Sequence, residues 1–97
     1  MKNIDLKIRF SDELFEAILE LNNLNETRRF FRDLMTESEL KEFSKRWQAA
    51  QMLDQNVSYK HIDNRLSMST ATISRINKCL NEGMNGFKMM INRLQNR

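Results

Sequence analysis

The chain has no proline, two glycines, one cysteine and one histidine among its 97 residues. With no proline, no position inside a helix loses its backbone donor, and the abundance of Leu, Met, Glu, Lys and Arg favours helix over sheet, so the expected class is all-α. A single thiol cannot close an internal disulfide, which agrees with a reducing compartment. One Cys and one His do not supply the four ligands of a structural zinc, so no metal is expected, and His61 and Cys79 are read as ordinary helix residues. No stretch approaches the run of about 18 apolar residues that crosses a bilayer, and residues 1 to 10 lack the apolar run and cleavage site of a signal peptide. A cytoplasmic protein without membrane association is the expectation. No glycine loop for phosphate is present, and the histidine has no nucleophile or carboxylate at motif spacing, so neither catalytic residues nor enzymatic activity is expected.

What is present is charge, and its distribution matters more than its total. The formal net charge is +3, but residues 1 to 40 carry six Lys/Arg against nine Asp/Glu, and residues 41 to 97 carry ten against four. The basic carboxyl half suits a polyanion, because each neutralised phosphate releases condensed counterions; a plain solvated surface is the simpler account. A chain this short forms one domain and buries only about two thirds of its unfolded surface, so a monomer would be marginal.

Residues 1 to 10 place Ile4, Leu6, Ile8 and Phe10 at alternating positions, yet a lone strand has no partner for its backbone groups, which predicts an extended or disordered arm. Residues 11 to 97 are expected to form a single helical domain. Ser11 with Asp12 and Glu13 starts a helix to about Asn22, and Asn25 caps a second that groups Phe30, Phe31, Leu34 and Met35. Thr36 and Glu39 form a capping box for a longer helix to about Gln55, with Leu40, Phe43, Trp47 and Ala50 on its apolar side. Ser58 caps a short helix to Leu66, Ser69 caps another to about Glu82, Gly83 ends it, and residues 84 to 95 carry a last apolar stripe through Phe87, Met90, Ile91 and Leu94.

The segment 58 to 81 fits a helix-turn-helix. In that motif the first helix braces the second, so apolar residues line the inside of both while the outer side of the second stays small and polar. Ile62 and Leu66 face inward from the first helix; Ile73, Ile76 and Leu80 do so from the second. Thr70, Ala71, Ser74, Asn77 and Lys78 fall on other sides. Small side chains at the start of the second helix allow close approach to base edges, and Lys60, Lys78 and Arg65 can bind phosphate. Spacing alone does not exclude an ordinary helical hairpin with polar outer residues.

From Ser69-Thr70-Ala71-Thr72-Ile73-Ser74-Arg75 through Asn77-Lys78-Cys79-Leu80-Asn81, the chain resembles the tryptophan-repressor family, in particular its YerC/YecD-type relatives. The resemblance extends over roughly residues 12 to 95, through Phe30-Phe31-Arg32-Asp33-Leu34, Thr36, Arg46 and Asn85-Gly86-Phe87-Lys88. It implies an intertwined homodimer with a shared helical core and two projecting reading heads. Such heads would occupy successive major grooves about 34 Å apart on a near-palindromic site. The resemblance also places Tyr59, Lys60, Thr70, Ala71 and Ser74 at family DNA contacts, whereas Asp63 stands where a basic contact is usual. Ser67 replaces a frequent turn glycine, at a cost of up to about 1 kcal/mol if the backbone there is left-handed.

The resemblance raises an effector. Arg46 and Arg75 match two arginines that line the family's tryptophan pocket, but Ile76 replaces a glycine that leaves room for the indole ring and Cys79 replaces a serine. A branched side chain at 76 should fill the pocket, so DNA binding without tryptophan or another cofactor is expected, in a transcriptional regulator of repressor type. The competing reading is a helical protein–protein interaction module, which would show neither sequence preference nor a steep salt dependence on DNA. Recognition of structured RNA ranks last, because a short helix cannot read the narrow major groove of an RNA duplex.

Overall fold

A computed structural model describes the backbone of residues 2–97 and the side chains from residue 9 onward. Six helices and no strand occur among the described residues: α1 Lys2–Leu19, α2 Leu24–Leu34, α3 Glu37–Asp54, α4 Tyr59–Leu66, α5 Thr70–Glu82 and α6 Gly86–Gln95. The all-α expectation is met. None of these helices is long and apolar enough to cross a membrane.

Residues 1 to 10 were expected to form an extended or disordered arm; residues 2–10 are instead helical, and Met1 lies outside the described residues. The described backbone is helical from Lys2, continuous with the segment that Ser11 was expected to start. Alternating apolar residues suit a strand only where a neighbouring strand supplies hydrogen-bond partners; a helix satisfies its own backbone internally, and neither Pro nor Gly interrupts this stretch. A smaller shift occurs at α2. Its cap is Asn23 rather than Asn25, with extended backbone and a side-chain oxygen that accepts from the amide of Glu26 at 2.9 Å. The Glu26 carboxylate accepts in turn from the amide of Asn22 at 2.9 Å, so both ends of that turn are satisfied.

The start of α3 follows the predicted capping box. Thr36 Oγ1 accepts from the Glu39 amide at 3.1 Å, and the Glu39 carboxylate accepts from the Thr36 amide at 3.0 Å. These bonds, the backbone one foremost, hold the Glu39 carboxyl below its ordinary pKa because they favour the charged form.

The chain divides into two units, residues 1–40 and 41–97. In the first, no described side chain is buried: Phe10 is 70% exposed, Leu19 80% and Leu24 64%. Phe30 and Phe31 meet edge to face, with ring centroids 5.6 Å apart. The second unit holds the core, formed by Ala49, Ala50 and Leu53 of α3, Ile62 of α4, Met68 of the turn, Ile73, Ile76 and Leu80 of α5, and Ile91 of α6. Trp47 and Phe87 pack against it, their ring centroids 6.2 Å apart. Gly83 closes α5 by donating its amide to the Cys79 carbonyl at 3.0 Å. A Cβ at Gly83 would lie 2.4 Å from that oxygen, so an L side chain does not fit the path the backbone takes there.

Candidate nucleic-acid interface

The geometry of α4 and α5 starts from two serine caps. Ser58 Oγ accepts from the amide of His61 and Ser69 Oγ from that of Thr72, both at 3.2 Å, so each short helix begins where its sequence says it should. Between them, Ser67 adopts the left-handed region at φ 54 and ψ 52, its amide donating to the Asp63 carbonyl at 2.7 Å. This is the conformation in which a Cβ is penalised, so the replacement of a turn glycine has a real cost. Met68, 4% exposed, then fixes the turn to the core, and Ile62 and Ile73, both fully buried, brace α4 against α5. The expected inward residues of α5 are the buried ones; Leu66 of α4 is half-buried and packs against the core.

The opposite side of α5 is free. Thr70, Ala71, Ser74 and Lys78 are exposed, as is Lys60 on α4; Tyr59 is half-buried against the core and Asn77 is half-buried. Seven residues expected at a DNA contact thus lie on the two helices of the motif, with the small ones on the first turns of α5. Asp63 and Arg65 are also exposed on α4.

The four residues of the expected effector pocket have different surroundings. Ile76 is 4% exposed and belongs to the core, so its side chain fills interior space. Arg46 is engaged on its own helix: its Nε lies 3.9 Å from Glu42 Oε1, and its guanidinium carbon 5.5 Å from the centre of the Phe43 ring. Arg75 is exposed. Cys79 is an exposed free thiol that lines, with Trp47, Met84, Phe87 and Met90, an open apolar cavity of about 570 Å³. Of the expected effector pocket only Cys79 lines this cavity, and the sequence reading did not foresee the part of Trp47, which it assigned to the core. It also missed Asn81, whose side chain donates to Asn77; an asparagine pair at i and i+4 was the available signal.

Two short capped helices at a tight turn, backed by a buried apolar seam and fronted by small polar residues, define an all-helical protein of the helix-turn-helix class. The comparisons with known proteins are specific. The family model described as Trp repressor protein matches residues 10–95, and the chain belongs to that family. It is 40% identical over 84 residues to the uncharacterized protein YerC of Bacillus subtilis (strain 168), a match covering 87% of this chain and 81% of the relative. Among solved structures it is similar to a TrpR-like protein from Eubacterium eligens ATCC 27750, with a TM-score of 0.88 and 40% identity over 94% of each chain. A second similar structure, from Staphylococcus aureus, gives a TM-score of 0.86 and 39% identity, over 98% of this chain and 95% of that one. The fold is therefore Trp-repressor-like.

Proposed function

We propose that this protein is a sequence-specific DNA-binding regulator of transcription, a repressor that reads the major groove of a near-palindromic site as an intertwined homodimer in the cytoplasm. The observation that carries this reading is the division of α5: Ile73, Ile76 and Leu80 are buried while Thr70, Ala71 and Ser74 are exposed on its first two turns. Thr70, Ala71 and Ser74 approach base edges, and Tyr59, Lys60 and Lys78 take phosphate. The exposed apolar residues of units 1–40 and 41–97 support the dimer, since Phe10, Leu19, Leu24 and Met90 are at least 41% exposed and a second subunit would cover such faces. DNA binding without tryptophan is part of the same proposal: by the family resemblance Ile76 replaces the glycine that leaves room for the indole ring, and its burial in the core supports a filled pocket.

Selection of bound DNA from a random pool tests the reading, with a near-palindrome of half-sites about one helical turn apart as the expected result. Replacing Lys60 or Lys78 by Ala should weaken binding on every sequence and lower the salt slope by about one; an unchanged slope removes that lysine from the phosphate contacts. Titration of tryptophan should leave Trp47 fluorescence unchanged, and saturable binding would overturn the filled pocket. The alternative, a helical protein–protein interaction module, draws on the same exposed apolar faces, and it predicts no sequence preference in the pool.

A further inference from the structure

We propose that the open cavity between α3, α5 and α6 binds a soft monovalent metal ion of the Cu(I) and Ag(I) type, with the Cys79 thiolate and the thioethers of Met84, Met89 and Met90 as donors. The inference is independent of DNA reading. Cys79 stands on α5, Met84 in the turn after it, and Met89 and Met90 on α6, and all of them line the same cavity of about 570 Å³. Trp47 of α3 and Phe87 supply its aromatic wall, and the remaining places fall to Gly83 and Gly86, the only glycines of the chain. No carboxylate, imidazole or amine lines it.

The donor set decides the ion. Thiolate and thioether sulfur are soft and select Cu(I), whereas calcium and magnesium require oxygen and structural zinc takes thiolates and imidazoles. One Cys and one His do not hold zinc, and no group of three or more His, Cys, Asp or Glu that could hold a metal occurs among the described residues. Thioethers enlarge the set only for a soft ion. Charge balance points the same way. On binding, the Cys79 sulfur gives its proton to solvent and bonds to the metal; one thiolate and one monovalent cation leave the apolar cavity neutral, where a divalent ion would leave an unpaired charge. The sulfurs are also available. Cys79 is an exposed free thiol, Met84 is 96% exposed and Met89 and Met90 are each 41% exposed, so core packing does not hold these side chains. Methionine adds a flexible stem and a polarisable sulfur. Trp47 offers a ring whose face attracts cations, and as the only tryptophan it reports on the site. A second subunit of the proposed dimer seated over Met90 would close the open side of the cavity and keep water from the bound ion.

Titration of the full chain with Ag(I), or with Cu(I) under anaerobic reducing conditions, should quench Trp47 fluorescence to a plateau at equimolar metal, while Zn(II) leaves it unchanged. Replacing Met84 and Met90 together by Leu keeps the apolar volume, so the double variant should retain the helical content and unfolding midpoint of the wild type and lose at least about tenfold in Ag(I) affinity. Met84→Leu alone, at a position that no core contact holds, guards against a misfolded double variant and should weaken Ag(I) binding at least about threefold. A full chain without the equimolar plateau overturns the inference, as does equal quenching by Zn(II). Methionine variants that all bind Ag(I) within about twofold of the wild type overturn it too, because the thiol alone would then account for the metal.

Discussion

Residues 1–40 and 41–97 have similar stocks of apolar side chains and use them differently. The carboxyl unit turns Ile62, Ile73, Ile76 and Leu80 inward around Ala49 and Ala50, and its α4 and α5 start at serine caps and brace one another. The amino unit makes amphipathic helices in α1 and α2 and buries no described side chain. Burial, rather than helix formation, separates the two: local capping suffices to start α2 and α3, but only packing retains a helix once formed. The carboxyl unit thus has its core within one chain, while the amino unit leaves apolar faces exposed, which a second subunit of the proposed dimer would cover.

Paired truncations give the largest expected effect. Ile62→Ala should cost about 2–5 kcal/mol of stability, because it empties a fully buried site, whereas Leu19→Ala should cost no more than about 0.5 kcal/mol in dilute protein. Urea unfolding at several protein concentrations checks both. A loss for Leu19→Ala that matches Ile62→Ala at every concentration would break the contrast; a loss that grows with concentration would sharpen it, since the face is then covered by another subunit.

The capping box at the unit boundary should respond next. Thr36→Ala is expected to cost about 1 kcal/mol, read by thermal unfolding. The depressed pKa of Glu39 means that its contribution is present above the ordinary glutamate range and is lost as pH falls through the lower folded value. Glu39→Gln should accordingly flatten the acid limb of the stability profile, and an unchanged limb would deny the box any part in it.

The smallest effect belongs to the turn of the carboxyl unit. Ser67→Gly should raise stability by about 0.5–1 kcal/mol, since relief of the left-handed Cβ outweighs the greater freedom of glycine in the unfolded chain. A loss of stability would mean that the Ser67 side chain contributes something its geometry does not reveal.

The sequence made the carboxyl unit legible because its signals are local. Ser58, Ser69 and Thr36 announce their helices through a hydroxyl three residues before an amide, and Ile62, Ile73, Ile76 and Leu80 carry a period that one helix face explains. The amino segment was harder to read. Ile4, Leu6, Ile8 and Phe10 have a strand's period, and only the absence of a pairing partner decides for α1; Asn23 and Asn25 are both capable caps, and the bond to Glu26 selects the first. At the candidate interface, the outward position of Thr70, Ala71 and Ser74 could be inferred from spacing. The shared cavity of Cys79 and Trp47 could not, since it depends on where α6 comes to lie against α3 and α5.

The exit from α5 depends on a missing atom. Because a β-carbon at Gly83 would collide with the Cys79 carbonyl, mutation to any chiral residue would force the chain to leave α5 along another path, dragging Phe87 away from Trp47. The spatial address of the last helix is thus written in a vacancy of one carbon, and a substitution far from any proposed base contact could redirect the whole carboxyl end.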